Sequence, residues 1–359
     1  MRIWNSSGRV LASVLLLTSM ATPGLATDTI RLTTVSGYPA TADWVSQFEA
    51  TFVPEVNARL ATTGNYTIDW VYGWGGAIVN PRGEFNAIEA GLADIGVVQT
   101  VFHPDRLRAF DIAYATPFVT TDIELITRVV NDLVAQFPQM TNGFSDNGQV
   151  LLTTLAAVDN YQILLNADYT GTESLRGLRI SGAVMNLRYI EAVGATGVSA
   201  GLADYYNGVS SGIYDGVIAW ATAAQAFRLY EAASTYVTVD FGGVNSMALS
   251  INENVWNGLP EEVQVALTES AEVYRHNLAR YAMDRAANAV AAMVADGANV
   301  VDVSEADRTT WAAALPNLAQ EWAAEVEATG VPGGEMLDAY IAAMVAAGQP
   351  VLRDWSAEN

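Results

Sequence analysis

The feature that most constrains the fold is a long stretch of helix-compatible sequence in the last third of the chain. Pro260, followed by Glu261 and Glu262, marks its start, because proline suits the first helical turn and acids there complement the helix dipole. Helix-compatible sequence continues to about residue 296, where Gly297 is a stop signal. Such a helix would be about 54 Å long at 1.5 Å per residue, which exceeds a single small domain. We therefore expect a helix over 260–297 that runs along two lobes.

Upstream of this helix, strand-like and helix-like segments alternate, which predicts parallel strands in an α/β fold. A first set of segments fills 27–148. A second set fills 149–239 and opens with a strand at 150–155. The connections between the sets are short and few, so we predict two lobes that exchange strands, with part of 240–260 belonging to the first lobe. The remaining residues, 298–359, are expected to form a helical region that packs on the lobes.

The first 26 residues have the order of features found in a secretory signal peptide. Arg2 and Arg9 form a positive leader, an apolar run covers 10–21, and small residues follow at 23–26. About a dozen apolar residues are too few for a membrane anchor, because a hydrocarbon core of ~30 Å needs about 20. We predict that 1–26 is cleaved on export. No later segment is long and apolar enough to suggest stable membrane insertion.

The charge balance excludes several classes of partner. Residues 27–359 hold 39 acids and 15 arginines but no lysine, a formal net charge of −24. Nucleic acid and anionic membrane surfaces are disfavoured because both attract clustered positive charge. The absence of cysteine excludes disulfides, thiolate nucleophiles and Cys-containing zinc sites. His103 and His276 are too far apart in sequence to form a zinc site by local spacing, so no metal and no cofactor are expected.

A Gly-x-Ser-x-Gly sequence at 197–201 is the main candidate for catalysis. In a nucleophile elbow this pattern follows a strand, precedes a helix and works with a downstream histidine. Here a helical stretch and Gly194 precede the serine, and the one downstream histidine, His276, lies within the long helix. We interpret the segment as a loop of small residues and expect no enzyme. An exported serine hydrolase that uses Ser199 is the alternative.

Aromatic and polar side chains follow several predicted strands, where open α/β sheets bind ligands. Trp74 follows the strand that ends near Tyr72, Gln99 follows the strand at 93–98, and Trp220 ends the strand that starts at Asp215. Aromatic side chains in a pocket can cover an apolar or cationic ligand. The alternative is that the tryptophans fill the hinge between the lobes.

An ordered set of short sequences resembles a known family, the extracytoplasmic solute-binding proteins of TRAP transporters of the dicarboxylate-binding type. These sequences are Leu175–Ile180, Val193–Val198, Tyr205–Gly216, Ser250–Asn252, Trp256, Leu259 and Pro260 with Gln264, and in the first lobe Ala87–Gly96 and Pro117 with Phe118. None is specific alone, but together they cover nearly all of the chain after residue 26 in order. The resemblance implies a two-lobed fold like that of periplasmic binding proteins, with a long helix spanning both lobes.

The resemblance also implies an arginine just after the Gly-Leu-x-Ile strand that grips a ligand carboxylate with two donors. Counting forward from Gly177 puts Ser181 at this position, whereas counting backward from Gly194 puts Arg179 there. Only one of the two registers can hold, and the strand motif favours Ser181; Arg179 is the candidate clamp if the other register holds. A polar run common in the family is replaced here by the apolar 217–219. A larger apolar or aromatic organic acid is therefore expected rather than a small dicarboxylate, with a neutral or cationic solute as the alternative.

Three further positions follow from the same residue-by-residue comparison. Gln99 matches a polar ligand contact of the first lobe, Asn186 lies where a turn of the second lobe faces the cleft, and Asn245 precedes the strand that leads to Asn252. The predicted ligand-binding residues are Trp74, Gln99, Arg179, Asn186, Trp220 and Asn245.

The function implied by the resemblance is that of a periplasmic receptor, which closes its lobes around a small organic solute. It would deliver this solute to the membrane subunits of a TRAP permease, which the chain does not contain. A monomer is expected. A binding module associated with a sensor is a further alternative.

Overall fold

A computed structural model describes residues 1, 27–183 and 185–357, so the predicted signal peptide lies outside the described residues except for Met1. Eleven strands in the described part of the chain form two sheets. The strands are β1 (Asp28–Val35), β2 (Tyr66–Gly73), β3 (Ile95–Gln99), β4 (Gln149–Leu155), β5 (Gln162–Leu165), β6 (Arg179–Gly182), β7 (Thr196–Ser199), β8 (Gly216–Ala219), β9 (Thr235–Thr238), β10 (Met247–Asn252) and β11 (Asn299–Asp302).

The first sheet, on which the first lobe is built, has the strand order β2-β1-β3-β10-β4. Strand β1 runs parallel to β2 and β3, whereas β10 runs antiparallel to β3 and β4. Every residue of β3 and β10 is buried. The centre of the sheet is therefore covered on both faces, as in other α/β folds with near-continuous apolar strands.

The second sheet, on which the second lobe is built, has the order β11-β9-β5-β8-β6-β7. Strand β6 is parallel to β7 and β8, and β5 is antiparallel to β8 and β9. The central strands β5 and β8 are completely buried. The edge strands β7 and β11 are mostly half-buried or exposed.

Two segments that cross between the lobes lie side by side and form the hinge. One joins β4 to β5 and the other joins β9 to β10, and an antiparallel bridge links Val158 to Val244. The predicted strand exchange is confirmed. The expected assignment of 149–155 to the second lobe is wrong, because β4 pairs along its length with β10 in the first sheet. An apolar strand pattern identifies a strand but does not say which sheet it joins.

The helices surround both sheets. They are α1 (Asp43–Gln47), α2 (Val53–Leu60), α3 (Glu84–Glu89), α4 (Pro104–Leu107), α5 (Ile112–Ala115), α6 (Ile123–Gln136), α7 (Asn142–Ser145), α8 (Leu187–Glu191), α9 (Tyr205–Ser210), α10 (Ala221–Ala226), α11 (Leu229–Ala232), α12 (Glu253–Gly258), α13 (Glu261–Ala295), α14 (Glu305–Ala314), α15 (Leu318–Glu327) and α16 (Gly333–Ala346). A π-helical turn, Phe48–Phe52, joins α1 to α2, and short 3-10 turns cover Thr100–Phe102, Arg108–Asp111, Pro138–Thr141, Thr172–Leu175 and Leu202–Asp204.

Helix α13 is the predicted long helix, and its 35 residues contact both lobes. On the first lobe it packs against α1, α2 and α6, and the Tyr274 hydroxyl donates to the Trp44 carbonyl at 2.6 Å. On the second lobe it packs against α10, and Ala289 and Met293 join the core around Tyr236. The predicted two-lobed fold with one helix along both lobes is confirmed.

The C-terminal helices also contact both lobes. The Trp311 indole of α14 donates to the Tyr189 carbonyl of the second lobe at 2.7 Å, and the Trp322 indole of α15 donates to the Arg108 carbonyl of the first lobe at 2.8 Å. None of the helices in the described ranges is both long enough and apolar enough to cross a bilayer.

Candidate functional site

A cavity of about 560 Å³ lies between the two sheets. Its wall is built from the segments that follow the carboxyl ends of the parallel strands β1, β3, β6, β7 and β8, and from the hinge. This is where open α/β sheets place their ligands. The volume falls within the range of about 300–1,000 Å³ that small-molecule sites occupy.

A smaller chamber of about 260 Å³ adjoins the cavity and shares Trp44, Trp220 and Phe227 with it. Asp43 and Arg285 line this chamber and form an ion pair with each other. Burial raises the pKa of Asp43, and the charge of Arg285 opposes that increase. The arginine of the smaller chamber is therefore already matched by a carboxylate.

Buried hydroxyls form one wall of the main cavity. The hydroxyls of Tyr114 and Tyr161 are 2.9 Å apart and hydrogen bond to each other. The Tyr161 ring meets the Trp220 ring edge to face, with centroids 5.9 Å apart. Burial raises the pKa of both tyrosines above the ordinary value, so both phenols are neutral. Neutral phenols can donate hydrogen bonds to a solute as well as accept them.

Two other polar atoms on the cavity wall have no hydrogen-bond partner among the described residues. They are the indole nitrogen of Trp44 and the side-chain oxygen of Gln99, and both are buried. Buried polar groups are normally hydrogen-bonded, and leaving one unpaired costs about 1–3 kcal/mol. These atoms are therefore suited to pair with polar atoms of a bound molecule.

Two of the predicted site residues, Gln99 and Trp220, line the cavity together. Gln99 is the last residue of β3 and is 5% exposed, and Trp220 directly follows β8. The two strands belong to different sheets, so both lobes contribute a side chain to the wall of one cavity of solute size. Their role in binding remains a prediction.

Trp74 does not line the cavity, and its role as a ligand-binding residue stays a prediction. Its ring packs edge to face on Phe48, with centroids 5.8 Å apart, and its indole hydrogen bonds to Glu49. The reason is the sheet order. Trp74 follows β2, which is the outer edge strand of the first sheet, and strand-end reasoning cannot tell an edge strand from a central one.

Arg179 also lies outside the cavity. Its guanidinium donates twice to Asp215, at 2.9 and 3.2 Å, and once to the Gly212 carbonyl at 2.9 Å. Arg179 begins β6, whereas the cavity lies beyond the other end of that strand, next to Ala183. The residue nearer that end is Ser181, which is completely buried. Arg179 itself is already paired with Asp215, and its role as the carboxylate clamp stays a prediction.

Asn186 and Asn245 are both fully buried, and neither reaches the cavity wall. The nitrogen and oxygen of each side-chain amide lack hydrogen-bond partners among the described residues. Asn245 is next to Ser246, which lines the cavity, and Asn186 immediately precedes α8. Both stay predictions as ligand contacts.

Sequence reasoning missed the arginine that does line the main cavity, Arg82. It lies in the turn before α3, has a φ of 78°, and its guanidinium carbon lies 4.1 Å from the centroid of the Phe102 ring. No sequence pattern marks this position, because a loop residue reaches the cavity only through tertiary packing. The buried tyrosines 114 and 161 were missed for the same reason.

The residues needed for hydrolysis do not come together. Ser199 ends the edge strand β7, and His276 lies on α13 with its ring nitrogen 3.0 Å from Glu124 of α6. His103 is buried against the ring of Phe85. Among the described residues, no three or more acidic, histidine or cysteine side chains lie together so that they could hold a metal ion.

Comparison with known proteins places the chain in a family. The model of bacterial extracellular solute-binding protein family 7, named DctP, matches residues 45–325. A TRAP periplasmic solute-binding protein from Desulfovibrio salexigens, described as an open complex, has a similar fold with a TM-score of 0.76 and 19% identity. That comparison covers 93% of this chain and 99% of the other.

Two other solved structures share the fold. A TRAP periplasmic solute-binding protein from Bordetella bronchiseptica, with bound (R)- and (S)-mandelate, has a TM-score of 0.75 and 22% identity over 89% of this chain and 99% of that one. A marine metagenome TRAP protein specific for aromatic acids, in complex with 3-hydroxybenzoate, has a TM-score of 0.76 and 16% identity over the same shares. With the family model covering most of its length, this chain belongs to the DctP family of bacterial extracellular solute-binding proteins.

Proposed function

We propose that this protein is the receptor of a TRAP transporter and captures one small organic acid in the cavity between its lobes. The observation that carries the proposal is the composition of the cavity wall: Gln99 comes from the first lobe, Trp220 follows a strand of the second, and the hinge adds Val158. A solute that contacts both lobes favours the closed arrangement, since it binds that arrangement better than the open one.

The chemistry of the wall supports an acid with an apolar or aromatic body. Tyr38, Trp44 and Trp220 provide aromatic faces, and Gln99 and Tyr161 provide neutral hydrogen-bonding groups. The relatives in complex with mandelate and 3-hydroxybenzoate bind acids of this kind. We propose the same class of solute for this chain.

The site of action proposed is the periplasm, with 1–26 removed on export, and the partner is a TRAP permease. The test of export is the N-terminus of the protein recovered from the periplasm of an expressing bacterium. A mature chain beginning at Thr27 supports the proposal. Retention of Met1 on protein that stays with the cytoplasm contradicts it.

A thermal-shift screen followed by titration calorimetry tests the binding function. The screen contains mandelate, 3-hydroxybenzoate, benzoate, pyroglutamate and galacturonate, with the neutral amides of the two aromatic hydroxy acids for comparison. A ligand at 100 times its Kd stabilises a protein by about 2.7 kcal/mol, which raises the Tm by several degrees. Saturable binding of at least one acid, one per chain, supports the proposal. Unchanged Tm and no heat of binding across all these acids count against an organic acid as the solute.

A further inference from the structure

Among the described residues that line the main cavity, two carry a formal charge, Arg82 from the first lobe and Asp204 from the second. They approach each other near Gly201: a Cβ built on this glycine would lie 3.6 Å from a terminal nitrogen of Arg82 and 3.4 Å from a carboxylate oxygen of Asp204. A terminal nitrogen of Arg82 therefore lies close to the Gly201 backbone of the opposite lobe.

No carboxylate of the described residues lies within ion-pair distance of the Arg82 guanidinium. Arg285 of the smaller chamber forms an ion pair within 4.0 Å. Arg82 forms none with the described residues. Its face rests on the Phe102 ring, which attracts a cation but leaves the N–H groups at the edge of the guanidinium free to donate.

The turn that carries Arg82 is fixed by packing beneath it. A Cβ on Gly37 would lie 2.2 Å from the Pro81 nitrogen, so the two backbones touch at a point where only glycine fits. The neighbouring carboxylate, Glu84, is buried and accepts the Gly37 N–H at 2.8 Å instead of pairing with the guanidinium. Arg82 keeps a left-handed backbone conformation, which is uncommon for a residue with a side chain and often marks a functional site.

We propose that Arg82 recognises the carboxylate of the solute and that the solute is a monoanionic organic acid whose apolar or aromatic body lies against Trp220. This inference rests on the proposed function. Near the end of β6 that adjoins the cavity the chain has Ser181 and no arginine. A positive charge for the carboxylate therefore has to come from the opposite lobe. In a chain whose residues after 26 sum to −24, an anion needs such a local cation. The smaller chamber offers no such unpaired cation, because Arg285 is already paired with Asp43.

Asp204 provides the main competing explanation. If Arg82 and Asp204 join when the lobes close, the pair is a latch and does not read the charge of the solute. The two explanations predict opposite effects on solute affinity when the charge of Asp204 is removed. Removing the charge of Asp204 strengthens binding of an anion held by Arg82, because it removes a repulsion, but weakens binding of any solute that depends on a latch.

The test is calorimetric titration of the intact protein with 3-hydroxybenzoate and mandelate and with their amides, in four single variants. Arg82→Gln is expected to weaken binding of the acid roughly 10- to 100-fold, the usual effect of losing a hydrogen bond to a charged group, and to change binding of the amide less than threefold. Arg82→Lys keeps the charge but loses the paired donors, so an intermediate affinity is expected. Asp204→Asn is expected to strengthen acid binding roughly two- to fivefold. Arg31→Gln, on an exposed part of β1, is the charge-matched control and leaves both affinities unchanged.

Each other outcome overturns the proposal. An acid that binds Arg82→Gln as tightly as the unaltered protein removes Arg82 from charge recognition but leaves the receptor function standing. Equal weakening of acid and amide in both Arg82→Gln and Asp204→Asn identifies a latch. Binding of amides but of no acid shows a receptor for neutral solutes. Absence of binding for the whole panel in the unaltered protein counts against the proposed function itself. Melting temperatures of all four variants confirm that each is folded.

Discussion

Replacing Trp220 with alanine should weaken solute binding more than it destabilises the protein. The indole directly follows β8 and lines both the main cavity and the smaller chamber. It is only half-buried, so part of its surface is available to a solute. Among the described residues its ring contacts one other aromatic ring, that of Tyr161, edge to face with centroids 5.9 Å apart.

The expected losses of folding stability and of solute affinity follow from these contacts. Losing an aromatic pair costs about 0.5–1.5 kcal/mol, and because the ring is half-buried the total loss of folding stability should stay below the 3–5 kcal/mol of a fully buried tryptophan. A ring that contacts the solute in the centre of a site contributes about 1–3 kcal/mol to binding. That range corresponds to a Kd roughly 5- to 150-fold higher.

Titration calorimetry with the best acid of the screen measures the effect, and Trp74→Ala is the matched control. Trp74 packs on Phe48 outside the cavity, so its removal should lower the Tm and leave the Kd unchanged. Trp220→Phe should retain most of the affinity. If Trp220→Ala binds the acid as tightly as the unaltered protein, the tryptophan only fills the hinge and the reasoning from the cavity wall is refuted.

Two further predictions concern stability and loop position. Burial raises the pKa of Asp159 and of Asp111 to about 7, so the folded protein keeps protons that the unfolded chain releases above about pH 4. The free energy of unfolding should therefore fall as pH rises from about 4 to about 7, and Asp159→Asn should flatten that fall in urea unfolding curves; identical slopes in both proteins would contradict this. Gly37→Ala, which forces a Cβ against Pro81, should cost about 1–3 kcal/mol and also weaken acid binding by moving Arg82, whereas Gly258→Ala, with open space around it, should be neutral. Urea unfolding measures the loss of stability, and titration calorimetry measures the Kd. An unchanged Kd in a destabilised Gly37→Ala protein would show that this turn does not position Arg82 for binding.

The sequence predicts those parts of the fold that depend on local signals. The bounds of α13 follow from Pro260 and Gly297, and the buried central strands are marked by continuous apolar runs. Strands β7 and β11 were not predicted, since each has only four residues and pairs on one side at a sheet edge. The sheet to which β4 belongs was predicted wrongly, because its partner β10 is about 100 residues away in the chain.

The lining of the cavity was predictable only where a residue ends or follows a central strand. Gln99 and Trp220 satisfy that condition and line the cavity, whereas Trp74 follows an edge strand and Arg179 starts a strand instead of ending it. Arg82 could not be predicted, because its position depends on the contact between Gly37 and the turn at Pro81, far apart in sequence.

The most direct test of the account is a crystal structure of the protein with the acid that binds most tightly in the screen. We expect the body of that acid to lie against Trp220, between the two sheets, with its carboxylate within hydrogen-bond distance of Arg82. An acid bound outside this cavity, or one whose carboxylate contacts Arg179 at the opposite end of β6, would contradict it.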